Sequence, residues 1–311
     1  MAFNNQTWVT EFILQGFSKS PHLEILFFCL FLFFYALALI GNSLIIASVW
    51  VTSALHTPMY FFLINLAMLD IICTTTVVPK LLENLVEEKK AISFFGCMTQ
   101  VYVFSWALGS ELLLFTAMAY DRYVAICRPL HYSTLMNKKI CGVFVIGLWI
   151  MGGLDSGMHT TMLVQLSFCG PNVIDHFFCE IPPMLPLSCS STKVNELLTL
   201  VTDLFLGGTN FFLTIMSYGF IIVNILKIRS EEGKKRAFST CSSHLMVVTM
   251  YYFAVFCAYI SPSASYSPEK GKAMAVLYTT LSPAINPLIY TLRNKVVKAA
   301  LRKLFVRCFS F

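Results

Sequence analysis

The side chains able to do chemistry are few in this chain and stand singly within long apolar stretches. Asp70 and Glu111 are carboxyl groups in such stretches, and Asp121 is followed directly by Arg122. We find no zinc-ligand spacing, nucleophile elbow or Gly-rich phosphate loop, and no recognisable set of catalytic residues. A carboxyl group buried in apolar surroundings needs a partner, a cation or a proton. The pattern therefore predicts a polar core within a membrane protein rather than an active site.

The composition excludes an ordinary soluble protein. Hydrophobic residues make up 57% of the 311 residues and charged residues only 12%, including 28 phenylalanines, whereas soluble domains are about one-quarter charged. The net charge of +6 is spread too widely to indicate a nucleic-acid partner. The eleven cysteines are too scattered to form one disulfide framework or a metal cluster.

Seven stretches are long and apolar enough to span a bilayer, which takes roughly 20 residues. They are too continuous for barrel strands, so an all-α membrane protein with a seven-helix bundle is predicted. The predicted helices 1 to 7 cover residues 25–50, 58–80, 98–120, 140–161, 197–226, 237–261 and 273–292.

The basic residues predict how the chain is oriented in the membrane. With the N-terminus outside, fifteen Lys and Arg residues lie on the cytoplasmic side and seven on the outer side. Asn5 begins a glycosylation sequon, which is usable only on the lumenal side. No cleaved signal peptide is apparent in the first twenty residues. We expect an extracellular N-terminus and a cytoplasmic C-terminus in the plasma membrane.

The chain is accordingly divided into three regions: an extracellular N-terminus 1–24, a seven-transmembrane domain 25–292 and a cytoplasmic C-terminal region 293–311. The last region has an apolar face and a basic face, typical of an amphipathic helix on the inner leaflet with anionic lipid as its partner. Cys308 is there either palmitoylated or a free thiol.

Four cysteines fall on the outer side of the predicted topology. Cys97 begins predicted helix 3, and Cys169, Cys179 and Cys189 lie in the loop between predicted helices 4 and 5. Four cysteines in an oxidising compartment allow three pairings. A bridge from Cys97 into the loop would hold that loop over the mouth of the bundle.

Five local sequences are far more specific than the hydropathy. They are LHTPMYFFL at 55–63, MAYDRYVAIC at 118–127, SY at 217–218, RAFSTCSSHL at 236–245 and PAINPLIYTLRN at 283–294. Together, and in this order, they resemble the vertebrate odorant receptors, a branch of the rhodopsin-like G-protein-coupled receptors. The resemblance extends from Gly41 to Asn294. Arg236 stands where the family usually has Lys, and Ala284 and Ile285 stand where it has Met-Leu.

The resemblance implies a receptor without enzymatic activity that responds to a small odorant and activates a stimulatory, olfactory-type G protein to raise cyclic AMP. A transporter or channel would show inverted repeats or broken helices instead. A receptor for a metabolite in another tissue remains an alternative. By resemblance, Cys97 pairs with Cys179, and Cys189 is the alternative partner.

The resemblance also implies an activation switch at the cytoplasmic end. Arg122 is restrained at rest and is then released toward the G protein and toward Tyr218 or Tyr290. Pro287 kinks helix 7, and His244 either lies in the core or holds helix 6 to helix 3 at rest. The implied switch residues are Asp121, Arg122, Tyr123, Tyr218, His244, Asn286, Pro287 and Tyr290.

Asp70 and Glu111 are expected to face each other, with Asn42 and Asn286 nearby. Oxygen ligands suit a hard cation, so by resemblance these acids hold a sodium ion at rest. Alternatively, the two acids share a proton. No other cofactor is expected.

The ligand is expected in the outer half of the bundle, in a mostly apolar cavity. Phe104 stands where amine receptors carry an aspartate, so a typical amine ligand is disfavoured. Asp155 and His159 are one helical turn apart and could pair, whereas Asp203 could meet water, His159 or a polar ligand. The implied ligand contacts are Phe104, Ser105, Leu108, Gly109, Asp203, Leu206, Gly207, Tyr252, Val255, Tyr259, Tyr278 and Thr279.

Overall fold

The structure is a computed structural model that describes residues 9–17, 20–169, 171–259, 268–293 and 297–302. Asn5, the predicted glycosylation site, and Cys308, for which palmitoylation and a free thiol were both left open, lie outside these residues. Of the predicted C-terminal helix, residues 297–302 are described and are helical. Val297 and Ala300 are buried there against Val49 and Leu55, so this stretch packs on the end of the first long helix.

Seven long helices account for most of the residues that the structure describes. Each predicted stretch falls on one of them, and most helices extend beyond the apolar stretch because their polar ends remain helical. The helices are α1 (Pro21–Val51), α2 (Pro58–Val86), α3 (Phe94–Cys127), α4 (Lys138–Val164), α5 (Lys193–Lys227), α6 (Glu231–Tyr259) and α7, which consists of Pro268–Val276, Leu277–Leu281 and Ser282–Arg293.

Within the described ranges, α1 to α5 are long and apolar enough to cross a membrane. Helix α6 contains a shorter apolar stretch, Cys241–Val255, behind a charged first turn. Helices α5 and α7 each contain a π-helical segment, at Asp203–Gly208 and at Leu277–Leu281. Such segments interrupt the regular turn of the helix and are frequent at functional sites.

A small β-sheet, which was not predicted, covers one end of the bundle, hereafter the sheet end. Strands β1 (Glu11–Leu14), β2 (Ala91–Ser93) and β3 (Val173–Ile174) are ordered β2-β1-β3. Strand β1 is antiparallel to β2 and parallel to β3. Phe12 and Leu14 are fully buried beneath it, so the N-terminal segment forms the centre of this cover.

Helix α3 lies at the centre of the bundle, and α4 packs closely on it. A Cβ on Gly152 would lie 3.1 Å from the backbone nitrogen of Ser110, so the small residue permits this approach. The Trp106 Nε1–H donates to the carbonyl of Trp149 at 2.8 Å. The Trp149 Nε1–H in turn donates to Asn65 Oδ1 in α2 at 3.2 Å, so α2, α3 and α4 are fixed to one another.

Candidate functional site

The predicted polar core is assembled midway along the bundle. Asn286 Nδ2 donates to both carboxylate oxygens of Asp70, each at 3.1 Å. Glu111 is buried within electrostatic range of Asp70. Glu111 Oε1 and Asn286 Oδ1 are buried oxygens without a hydrogen-bond partner among the described residues. The core thus combines two acids with unsatisfied oxygen acceptors.

Asn42 joins α1 to α7 in a way that follows from Pro287. A proline has no N–H to donate to the carbonyl four residues earlier, which here belongs to Pro283. Asn42 Nδ2 donates to that carbonyl at 2.9 Å. Beside it, a Cβ on Gly41 would lie only 2.9 Å from Pro287 Cβ, so α1 packs directly against the proline of α7.

At the end of the bundle opposite the sheet, Arg122 is held by Asp121. The Arg122 Nε–H donates to Asp121 Oδ2 at 3.0 Å, and a second guanidinium nitrogen contacts the same oxygen. The Tyr132 hydroxyl donates to Asp121 Oδ1 at 2.8 Å. Asp121 is fully buried and Arg122 is 8% exposed, so the structure places the predicted switch arginine in a restrained ion pair.

His244 is fully buried in the core and contacts both α5 and α3. Its Nδ1 pairs with the hydroxyl of Tyr218 in α5 at 2.5 Å, and its Nε2 is buried without a partner among the described residues. Its contact with α3 is a ring contact with Phe115, with centroids 6.1 Å apart. The hydrogen bond of His244 is therefore to α5, and its contact with α3 is through ring packing.

A hydrogen bond between α6 and α3 is made by Tyr251, which the sequence analysis missed. Its hydroxyl donates to the carbonyl of Leu108 at 3.0 Å and also interacts with Glu111. Its ring packs on Phe115 at 4.9 Å. Tyr251 therefore contacts Leu108, which is an implied ligand contact, Glu111 of the polar core, and Phe115, which packs on His244.

The remaining switch residues lie in the half of the bundle that is away from the sheet end. Tyr290 is buried, and its hydroxyl has no partner among the described residues. Tyr123 is half-buried and packs on Phe220, with centroids 5.9 Å apart.

Several implied ligand contacts meet below the sheet. The ring of Phe104 is buried between those of Tyr278 and Phe178, with ring centroids 5.9 Å and 4.9 Å away respectively. Tyr278 and Thr279 lie in the π-helical segment of α7, whereas Asp203, Leu206 and Gly207 lie in that of α5. Ser105, Leu108, Tyr252 and Val255 are half-buried. The side chain of Tyr259 lies outside the part of the chain that is described.

Gly109, another implied ligand contact, lies beside α4. A Cβ on Gly109 would lie 3.9 Å from the Cα of Gly152. The helical spacing placed Gly109 beside Leu108 without revealing which neighbouring helix covers it. Thr279 is buried too, but its hydroxyl donates to Ala275 within α7 at 2.7 Å.

The acids of α4 and α5 are arranged around His159. Asp155 lies 3.8 Å from the His159 ring nitrogen, but the closer partner of that nitrogen is the Thr202 hydroxyl, at 2.9 Å. Asp203 follows Thr202 and is exposed. The structure thus links His159 to α5 through a neutral side chain.

Both disulfides involve the loop between α4 and α5: one links it to α3, and the other closes a shorter loop within it. Cys97 is bonded to Cys179 and Cys169 to Cys189, with Cα atoms 5.4 and 5.9 Å apart. The pairing of Cys97 is therefore with Cys179 rather than with Cys189. Cys97 and Cys179 are fully buried.

The loop between α4 and α5 places the carboxyl group of Glu180 beside the implied ligand contact Tyr278, which the sequence analysis missed. Glu180 is 6% exposed, and the Tyr278 hydroxyl donates to its Oε2 at 3.1 Å. Lys272 Nζ pairs with Asp175 at 2.7 Å and so ties the loop to α7. The signal was available: a bridge from Cys97 to Cys179 necessarily places the neighbours of Cys179 beside the start of α3.

His176 in this loop is fully buried against Phe177 and Phe178. Burial, and secondarily the charge of Lys272, lower the pKa of His176 to about 3. The ring is therefore neutral at pH 7. Its 3.4 Å approach to Glu180 is accordingly a dipolar contact and not an ion pair.

The low pKa of His176 makes the fold sensitive to acid. At pH values between about 6.5, the unfolded pKa, and the lower folded value, the unfolded chain binds a proton that the folded chain does not. The free energy of unfolding therefore falls by up to about 1.4 kcal/mol for each unit by which the pH is lowered. We expect His176→Gln to flatten the fall in Tm between pH 7.5 and 4.5. Changing the exposed His131 to Gln should leave the curve unchanged, and parallel curves for His176→Gln and the parent would contradict the assignment.

Comparisons with known proteins all point to one family. A protein-family model described as olfactory receptor matches residues 28–308. The chain is 57% identical to human olfactory receptor 13A1 over 302 residues, covering 97% of this chain and 92% of that receptor. It is 51% identical to human olfactory receptor 13G1, covering 97% and 98%, and 46% identical to mouse olfactory receptor 5AR1, covering 96% and 97%.

Proposed function

We propose an odorant-sensing mechanism for this chain, which belongs to the olfactory receptor family. Family membership makes it a seven-transmembrane, G-protein-coupled receptor of the plasma membrane, and not an enzyme, as predicted. We propose further that it binds small, mostly apolar odorants near the sheet end. Binding then activates a stimulatory, olfactory-type G protein and raises cyclic AMP.

The contacts of Tyr251 carry this proposal. The proposed ligand region around Phe104 adjoins Leu108, whose carbonyl receives the Tyr251 hydroxyl. From Tyr251, the packing continues through Phe115 to His244. An odorant that shifts α3 relative to α6 would disturb each of these contacts in turn. A ligand at one end can thereby bias the arrangement of helices at the other.

The proposed orientation places the sheet end outside the cell. Disulfides form and persist in oxidising compartments, and both of them lie at this end. The loops at the opposite end carry most of the basic residues, which favours the cytoplasm. The G protein would then meet the end that holds Arg122, and lipid would surround the apolar helix faces.

We also propose that the polar core binds a sodium ion at rest. The residues fit such an ion, since Glu111 Oε1 and Asn286 Oδ1 are buried oxygens to which no described residue donates a hydrogen bond, and both residues lie beside the Asp70 carboxylate. A hard cation prefers oxygen ligands and offsets the repulsion between two buried acids. Replacing external sodium with choline should raise basal cyclic AMP in the parent but not in Asp70→Asn, and equal responses would contradict the site.

The test of the proposed function measures cyclic AMP in cells that express the chain with an olfactory-type G protein, across a broad odorant panel. A dose-dependent rise supports the proposal. Tyr251→Phe should raise the basal level because it removes the hydrogen bond between α6 and α3. The matched control is Tyr35→Phe, which removes a hydroxyl 3.4 Å from Thr75 at the α1–α2 contact. Silence across the panel at confirmed surface expression, or no change in Tyr251→Phe, would count against the mechanism.

A further inference from the structure

A groove of about 460 Å³ lies between α2 and α3, beneath strand β2. Its volume is within the range of pockets that bind small molecules. It is separate from the ligand region around Phe104 and Tyr278. Its lining residues are Thr76, Lys80, Ala91, Ile92, Ser93, Gly96, Thr99, Gln100 and Val103.

The groove is on the outside of the bundle. On α3, Cys97, Val101 and Phe104 are fully or almost fully buried toward the core, whereas Thr99 is exposed and Val103 is half-buried. The lining residues of α3 therefore belong largely to the helix face that points away from the central bundle. In a bilayer, a ligand would reach this groove from the lipid and not through the sheet.

The position of Lys80 sets the depth of the groove in the membrane. Lys80 is six residues before the end of α2 at Val86, which is about 9 Å at 1.5 Å per residue. A lysine at this depth places its ammonium group near the level of the lipid headgroups. The groove thus has a polar end at the interface and continues toward the hydrocarbon.

Lys80 is the charged residue of the lining, and its side chain is 20% exposed. Its present partner is Glu83, at 2.6 Å, whose side chain is 47% exposed. Such partly exposed pairs contribute little to stability because water competes with them. An ammonium group has three donors, so it can bind a second anion or exchange one for another.

The other polar groups of the lining favour a small anionic head over a large polar one. Gln100 is already committed, since it donates to the Thr76 carbonyl and accepts from the Cys179 N–H. Ser93, whose Oγ accepts the Gly96 N–H and whose O–H can still donate, and Thr99 supply hydroxyl groups to the lining, while Ile92 and Val103 supply apolar surface. One cation, two hydroxyls and an apolar wall match a carboxylate attached to a hydrocarbon chain.

We propose that this groove binds a medium-chain fatty carboxylate, with its head on Lys80 and its tail along Val103 toward the lipid. The site is distinct from the odorant region and does not depend on the proposed signalling. Each methylene removed from water adds to binding, and the charged head fixes the orientation.

The test uses the full chain in phosphatidylcholine nanodiscs and a decanoate carrying a terminal diazirine. After photolysis, mass spectrometry should place the label on peptides from residues 91–103. Unlabelled decanoate should compete, whereas decanol at the same concentration should not. The readout is a covalent label, so it is independent of G-protein coupling and of any odorant.

Four variants sharpen the test. Lys80→Met should reduce labelling at least about fivefold, since a charge-assisted hydrogen bond is lost. Glu83→Gln should increase labelling about twofold, because it removes the competing anion. Val103→Trp should abolish labelling by filling the groove while leaving the lysine in place. Lys89→Met, a control at an exposed lysine paired with Glu11, should leave it unchanged.

Equal labelling of Lys80→Met and the parent would overturn the proposal, as would equal competition by decanol. Labelling spread evenly over all lipid-facing helices would also overturn it, because that would indicate simple partition into the bilayer. Loss of labelling when phosphatidylglycerol replaces part of the phosphatidylcholine would assign the groove to a phospholipid headgroup and reject the fatty carboxylate.

Discussion

Joint replacement of Cys97 and Cys179 by serine is expected to remove most of the receptor from the cell surface. This disulfide spans 82 residues and is fully buried. Closing a loop of that length is worth about 4–5 kcal/mol in the chain-entropy model. The Cys179 N–H also bonds to Gln100 at 2.8 Å, so the bridge positions both the sheet and the loop over the ligand region.

The second disulfide provides a matched control. Cys169 and Cys189 are exposed and only 20 residues apart, so removing both is expected to cost about 3 kcal/mol and to leave more receptor at the surface. Replacing both members of each pair avoids an unpaired thiol that could form a wrong bridge. Surface immunolabelling against total receptor, with Tm in detergent, measures the difference. Equal surface levels for the two double variants would contradict the greater role of the buried bridge.

The seven helices could be predicted because hydrocarbon imposes a length and an apolar composition on each segment. The sheet could not, for two physical reasons. Its strands are two to four residues long, and β1 pairs with partners about 80 and 160 residues away. No local periodicity signals such pairing. The π-helical segment Asp203–Gly208 likewise has no distinctive sequence pattern.

The parts of the candidate site that could be predicted are those where burying one polar side chain would cost much free energy without a partner. A buried carboxyl requires compensation, and Asp70 indeed lies against Asn286. Helical spacing gives the face of a residue but not the helix opposite it, which is why the packing of Gly109 on α4 and the partner of His244 were not predicted. Tyr251 was missed because its importance depends on the Leu108 carbonyl, 143 residues away.

Arg122→Ala is expected to abolish odorant-dependent cyclic AMP while largely preserving surface expression. Arginine keeps its charge at any accessible pH and offers several donors, which alanine cannot replace in a contact with the G protein. Removing one member of a buried ion pair usually destabilises the fold. Here Asp121 retains the hydrogen bond from Tyr132 at 2.8 Å, and we expect this bond to limit the loss.

Two further variants separate coupling from folding. Asp121→Asn should raise basal cyclic AMP, because it weakens the ion pair that restrains Arg122 while leaving the guanidinium in place. Arg128→Ala removes an exposed arginine six residues further along and should reduce the response far less than Arg122→Ala. Responses are compared at equal surface expression, and a tenfold loss corresponds to about 1.4 kcal/mol. Full signalling by well-expressed Arg122→Ala would show that the restrained ion pair of the structure is a packing feature and that the G protein is engaged elsewhere.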